Sequence, residues 1–227
     1  AARYAGLCHE DGVGAKKDES EAAKFYGMGA RLGDEVSTAR LLDLAQNRKV
    51  PEAEYQYGLW VETLPDKVTT AVRWFGVAAE HGHILAMKRL AELAKSDVGA
   101  KVEYGNLLLE TKPGEAFTYL RSAYDAGATH ALSNLVKAAY QATTETGDSH
   151  LIFLLEQAGN SNAMAARYAG QCYEFGISVA KDQAEASRLY GMGARAGDDA
   201  AQNRLLDLAQ NSKLPSAQYQ YALWVEN

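Results

Sequence analysis

Apolar residues recur along most of the chain at the three- and four-residue spacing that places side chains on one face of a helix. The clearest stripe runs through Ala22, Phe25, Tyr26, Gly29 and Ala30. Two further stripes with this spacing are Ala71, Trp74, Phe75, Ala78 and Ala79, and Ala116, Leu120, Ala123 and Tyr124. No segment shows the sustained alternation of a half-buried strand. The pattern therefore predicts an all-α protein built from amphipathic helices.

Turn-forming residues interrupt these stripes about every 16 residues and predict where helices begin and end. Proline is tolerated in the first turn of a helix, and glycine adopts the left-handed conformation that often closes one. Predicted starts lie at Pro51, Pro65 and Pro113, and predicted ends lie at Gly33, Gly82 and Gly127. Asp18 and Asp182 are predicted N-caps, and Glu21 and Glu185 would complete a capping box three residues later. About fourteen helices result, ten of them within residues 1–164.

The chain also repeats itself, because residues 1–62 return as residues 165–226 at a constant offset of 164. The two segments share 39 identities in 62 aligned positions, without insertion or deletion. Such a repeat is typical of a modular array whose units pack on their neighbours. We therefore expect one array over residues 1–227, with a super-repeat at 1–164 and a partial second copy at 165–227. Both ends are expected to be cut from a longer protein.

Short connections between helices favour antiparallel neighbours. The predicted fold is thus a right-handed α/α solenoid, a superhelix of about fourteen stacked antiparallel helices. The second copy keeps the direction of the first because ten, the number of helices in one copy, is even.

Charge and composition narrow the range of partners. The formal net charge is −6 and the pI is about 5.4, which argues against a broad nucleic-acid interface. No apolar run approaches the roughly 18 residues of a membrane span, so we expect no membrane insertion. Cys8 and Cys172 occupy the same position of the two copies and are predicted to be small buried residues without a disulfide. The compartment is left open: the chain could be cytoplasmic, periplasmic or secreted.

Residue types that often carry catalysis are present, but their patterns favour structural roles. His81 and His83 flank Gly82 in a turn, without the third ligand of a recognised metal site. Asp148, Ser149 and His150 are sequence neighbours, whereas catalytic triads are assembled from separate segments. We read this tripeptide as a helix N-terminus. His9 is predicted to pack, since the second copy has Tyr173 there. We therefore predict no catalytic, cofactor-binding or metal-binding residues.

The motifs of the two copies resemble a known repeat family. The loop after the first helix reads Gly12-Val13-Gly14-Ala15-Lys16-Lys17-Asp18, and the next helix carries Ala22, Phe25-Tyr26, Gly29-Ala30 and Gly33. The later copy keeps Tyr173-Glu174-Phe175-Gly176, then Lys181-Asp182, Ala186, Tyr190, Ala194 and Gly197. These elements resemble the SEL1-like repeat, a helix-turn-helix relative of the tetratricopeptide repeat. Segments 53–82 and 100–127 fit with shorter loops, whereas the helices predicted at 37–47 and 130–143 depart from the two-helix period.

The resemblance implies an adaptor role in assembly or signalling. We therefore expect a noncatalytic scaffold that presents an extended surface to a protein or peptide partner. Two alternatives stay open. One is recognition of carbohydrate or peptidoglycan, which would require aromatic platforms and carboxamides gathered in a groove. The other is a regulatory arm of a larger enzyme.

The candidate partner-binding residues lie on one face of the fourth predicted helix. Tyr55, Leu59 and Glu62 fall beside the packing stripe of that helix, and they recur as Tyr219, Leu223 and Glu226. Tyrosine and leucine on a groove make good anchors for a partner. The other interpretation is that they pack against neighbouring helices.

Overall fold

The computed structural model describes residues 1–145, 147 and 149–226. The secondary structure of these residues consists of helices joined by turns and loops, with no strand. It contains one short 3₁₀-helix at Thr129–Ala131 and fourteen α-helices. The α-helices are α1 (Ala2–Asp11), α2 (Glu19–Arg31), α3 (Glu35–Gln46), α4 (Pro51–Glu62), α5 (Val68–Glu80), α6 (Ile84–Leu93), α7 (Val98–Leu108), α8 (Pro113–Asp125), α9 (Leu132–Glu145), α10 (Leu151–Gly159), α11 (Ala163–Phe175), α12 (Gln183–Arg195), α13 (Asp199–Gln210) and α14 (Pro215–Val225). The predicted all-α fold and the number of helices are confirmed.

Most of the predicted helix boundaries are also correct. The Asp18 side chain accepts a hydrogen bond from the Glu21 N–H over 3.0 Å, and Asp182 accepts from Ala184 and Glu185. The glycines at 33, 82 and 127 have φ between 81° and 97°. Ser178 reaches φ 55°, so this loop position tolerates a residue other than glycine.

Two local predictions were wrong. Pro65 lies in a turn, because α5 begins only at Val68. The reciprocal half of the first capping box is missing, because the Asp18 N–H donates to the His9 carbonyl while Glu21 pairs with Lys24. The first turn of α2 is therefore held by the aspartate alone and by the loop that precedes it.

The chain divides into two compact units, residues 1–107 and 108–227. The boundary falls inside the first sequence copy, near the end of α7. Our expectation of one continuous array stays a prediction.

In unit 1 each of the helices α1 to α5 packs on the next one, and α3 lies against both α2 and α4. This arrangement accounts for the segment that did not fit a two-helix period: α3 covers the joint between α2 and α4, which also touch each other directly. The buried residues of this core are mostly small, and Tyr26, Leu41 and Leu44 fill the space between them. Small residues at the contact allow helices to approach closely. A Cβ at Gly6 would lie only 2.5 Å from the Tyr26 ring, so that close approach requires glycine.

Unit 2 repeats this arrangement, with α12 contacting α11, α13 and α14. Its core is formed around Tyr190, Leu205 and Leu208. Unlike α1 in its unit, α11 also packs against α9 and α10.

The prediction that both cysteines are small buried residues was half correct. Cys172 is buried, and burial raises the pKa of its thiol to about 11. Cys8 is exposed. Both cysteines are free thiols.

Candidate functional site

The predicted anchor residues of α4 are half-buried against the helices that follow. The Tyr55 ring stacks on the His83 ring with 4.5 Å between centroids, and it lies 5.9 Å from the Phe75 ring. Glu62 forms an ion pair with Arg89 of α6, with 2.5 Å between Oε1 and Nη2. Leu59 is half-buried between them along the same helix face. These contacts favour packing for part of each side chain, and partner binding by the remainder stays a prediction.

The same residues of the second copy have a different environment. Tyr219 is 63% exposed and Glu226 is exposed, while Leu223 is half-buried. The structure thus places each trio on one helix face, and Phe75, His83 and Arg89 cover part of the first trio.

Sequence reasoning missed an apolar groove in unit 1. It has a volume of about 470 Å³ and lies where the ends of α2 and α4 meet α3. Its lining residues are Ala30, Gly33, Glu35, Thr38, Ala39, Leu42, Trp60 and Leu64. The available signal was the four-residue spacing of Thr38 and Leu42 on α3 and of Trp60 and Leu64 at the end of α4.

A second groove missed by sequence reasoning lies in unit 2, on α11, α12 and α13. It has a volume of about 620 Å³ and is lined by Arg167, Gln171, Glu174, Phe175, Tyr190, Ala200, Asn203, Arg204 and Asp207. Phe175 and Asn203 are exposed, whereas Tyr190 and Glu174 are buried. The groove therefore combines a polar wall with one open aromatic ring.

A buried carboxylate organises the wall of this groove. Glu174 accepts a hydrogen bond of 2.6 Å from the Tyr190 hydroxyl and two from the Arg204 guanidinium. Burial by itself raises the pKa of Glu174, but the hydrogen bonds from Arg204 and Tyr190 outweigh it and lower the pKa below its ordinary value. The pKa of the Tyr190 hydroxyl is raised by its own burial and by its bond to Glu174. The side chain of Glu174 is therefore ionised and fully engaged within the fold.

The residues weighed as catalytic or metal-binding candidates have structural partners. His83 caps α6, since its Nδ1 accepts from the Ala86 N–H while Nε2 lies 3.1 Å from Glu52. His81 Nδ1 lies 2.8 Å from the buried Glu54 carboxylate. His9 stacks on Phe25 with 5.5 Å between the ring centroids, which confirms its packing role. In the described ranges, no three His, Cys, Asp or Glu side chains gather as a metal site would require.

The structure describes only two residues of the tripeptide 148–150. Asp148 lies outside the described residues. His150 precedes α10 and stacks on Phe117, with 3.9 Å between the rings. The tripeptide does precede a helix, as predicted, because α10 begins at Leu151 with His150 in the capping position. Across the described residues, no helix is both long enough and apolar enough to span a bilayer.

Comparison with known proteins identifies the repeats. No curated protein matches the chain. Among solved structures, a Sel1 repeat protein from Oxalobacter formigenes is 18% identical, with a TM-score of 0.43 over 99% of this chain and 82% of that one. The protein c5321, described as a protective antigen of uropathogenic Escherichia coli with an SLR fold, is 16% identical, with a TM-score of 0.39 over 99% of this chain and 60% of that one.

The assignment rests on the family model rather than on those two structures. The model of the Sel1 repeat matches residues 1–34, 51–83, 86–127 and 163–198, which together make up more than half of the chain. The matched segments contain the helix pairs α1–α2, α4–α5, α7–α8 and α11–α12, whereas α3 and α9, the helices that departed from the two-helix period, lie outside them. The chain belongs to the Sel1 repeat family.

Proposed function

We propose that this chain is a noncatalytic scaffold for protein–protein interaction, and that its partner inserts an apolar side chain into the groove of unit 1. The observation that carries the proposal is the lining of that groove. Seven of its eight residues present apolar groups or small side chains, and Glu35 is the only charged one. Removing water from a groove of this kind costs little free energy, and burying an apolar side chain of a partner in it is favourable.

The partner's anchor would be a large side chain, because the groove volume of about 470 Å³ exceeds what a small residue fills. Glu35 at the first turn of α3, together with the net charge of −6, favours a basic residue beside that anchor. The helices around the groove are packed on a buried core, so little ordering entropy opposes binding. Two further partner contacts are proposed, one in each unit: Tyr55, Leu59 and Glu62 in unit 1, and Tyr219, Leu223 and Glu226 in unit 2.

The second copy supplies a variant that should fold but not bind. Gln202 and Asn203 stand at the positions of Thr38 and Ala39 there. The double substitution Thr38→Gln/Ala39→Asn would place two polar side chains over the groove while using residues that the same helix already tolerates. Trp224→Ala, on the matching residue of α14, is the control.

The experiment is affinity capture from native lysate, with the parent chain, the double variant and the control as baits, read by mass spectrometry. A photo-reactive residue at Leu64 then reports direct contact with the captured protein. We expect a protein that is captured by the parent and by Trp224→Ala, is lost with the double variant, and cross-links at position 64.

Two results would overturn this proposal. Equal capture by all three baits, without a cross-link at position 64, would place the binding surface elsewhere, and a Tyr55→Ala/Tyr219→Ala bait would test the second surface. Absence of any specific protein from every folded bait would contradict the scaffold role itself.

A further inference from the structure

The arginine side chains that line the groove of unit 2 are paired with carboxylates of the fold. The Arg204 guanidinium donates to both Glu174 and Asp207, and the Arg167 Nε donates to Asp198 Oδ2 over 3.0 Å. A phosphate or a carboxylate ligand would have to displace one of these partners, and leaving a largely buried carboxylate without its cation is costly. The balance therefore favours an occupant without net charge.

The polar groups that remain available in this groove suit hydroxyl groups. Gln171 lines the groove, and its Oε1 is buried without a donor among the described residues. Asn203 is exposed and offers both a donor and an acceptor. Asp207 accepts from Arg204 and Asn211 and is 40% exposed, so its carboxylate can accept further hydrogen bonds. Two carboxamides and one carboxylate thus surround the same space.

The groove also has an apolar surface beside these groups. Phe175, the last residue of α11, is 53% exposed and lines the groove. The face of an aromatic ring carries partial negative charge and attracts polarised C–H groups. The C–H face of a pyranose ring can therefore lie on Phe175 while its hydroxyl groups reach the carboxamides. Few other neutral molecules present an apolar face and several hydroxyl groups together.

We propose that the groove of unit 2 binds a neutral saccharide, with Phe175 as the stacking platform and Gln171, Asn203 and Asp207 as hydrogen-bonding residues. A volume of about 620 Å³ leaves room for a disaccharide segment of a longer glycan. This inference goes beyond the scaffold role and rests on a different unit of the chain.

The first copy lacks the residues that make this groove suitable. Leu7, Asp11 and Ala39 stand where the second copy has Gln171, Phe175 and Asn203, while Arg40 and Asp43 are retained as Arg204 and Asp207. The equivalent face of unit 1 therefore has neither the aromatic platform nor the carboxamides, and we expect no saccharide binding there. Because the first copy folds with these residues, the same substitutions in the second copy should also be compatible with the fold.

The test uses the whole chain and two defined probes, cellobiose and N,N′-diacetylchitobiose. Each is titrated to about 10 mM, since a shallow site of this size is expected to bind weakly. The readout is the NMR shift of the Gln171 side-chain amide and of the Phe175 backbone amide. The variants are Phe175→Asp and Asn203→Ala, which carry the residues of the first copy. Asp11→Ala, at the position equivalent to Phe175, is the matched control.

We expect at least one disaccharide to give a saturable shift at both amides. Its affinity should fall by about tenfold or more in Phe175→Asp and less in Asn203→Ala, and Asp11→Ala should leave it unchanged. The proposal is overturned if neither sugar shifts the two amides, or if the parent and Phe175→Asp respond alike. None of these results would alter capture at the unit 1 groove.

Discussion

Residues 1–62 and 165–226 are close copies in sequence, yet they satisfy the same buried carboxylate in two ways. In both copies a tyrosine donates a 2.6 Å hydrogen bond to the carboxylate, Tyr26 to Glu10 and Tyr190 to Glu174. In the first copy Arg48 supplies the cation at 2.7 Å, and Arg40 stays 3.6 Å away. The second copy has Ser212 in place of Arg48, and Arg204, the counterpart of Arg40, binds the carboxylate.

The comparison teaches that the buried charge, rather than a particular arginine, is the fixed requirement. A carboxylate that is about 95% buried must be compensated, and the fold offers two positions from which an arginine can reach it. The two grooves, in contrast, occupy different places of the repeat, and Ala39 and Asn203 are the one equivalent pair that lines both.

The largest effect is expected where the two copies should behave alike. Ala30 and Ala194 are 2% and 6% exposed at the helix contacts of their units. Ala30→Glu should lower the free energy of unfolding by about 3–5 kcal/mol, because it buries a charge without a partner. Ala194→Glu should cost about as much. Urea unfolding followed by circular dichroism measures both.

The neighbouring Leu32 is the control for this substitution. It is 84% exposed, so Leu32→Glu should change the free energy of unfolding by no more than about 0.5 kcal/mol. If Ala30→Glu unfolded at the same urea concentration as the parent, the packing face assigned to α2 would be incorrect.

A smaller effect should distinguish the copies. Arg204→Met leaves Glu174 with Tyr190 alone and should cost about 2 kcal/mol, since the arginine is partly exposed but its partner is buried. Arg40→Met should cost less than about 1 kcal/mol, because Arg48 still holds Glu10. Thermal or urea unfolding of the two variants gives the comparison.

The control for Arg40→Met and Arg204→Met removes the difference between the two copies. Arg48→Ser gives the first copy the residue of the second, and in that background Arg40→Met should become as costly as Arg204→Met. Equal costs of Arg40→Met and Arg204→Met in the parent chain would show that the two carboxylates are compensated alike, contrary to the geometry.

Local sequence patterns were enough to predict the fold class, the helix number and the aspartate caps of α2 and α12, because each depends on residues close together in the sequence. The grooves depend on contacts between helices. Gln171 and Asn203 line one groove although they belong to α11 and α13, and no local pattern links them. Similarly, the Tyr55 ring of α4 stacks on the His83 ring, and no local pattern links these two residues either. The partner-binding trio could be placed on a helix face from sequence, whereas its burial required the neighbouring helices.

The smallest effect is expected from acid, and it concerns Glu174. Because Arg204 and Tyr190 lower the pKa of Glu174 in the folded chain, the ionised form stabilises the fold above the ordinary carboxyl pKa of about 4.3. This stabilisation should be lost as the pH falls from that value through the lower pKa of the folded state. Urea unfolding between about pH 6 and pH 3 should show it, and Glu174→Gln should flatten the slope. Glu10→Gln is the matched variant of the first copy. An unchanged slope in Glu174→Gln would mean that other carboxylates account for the acid sensitivity.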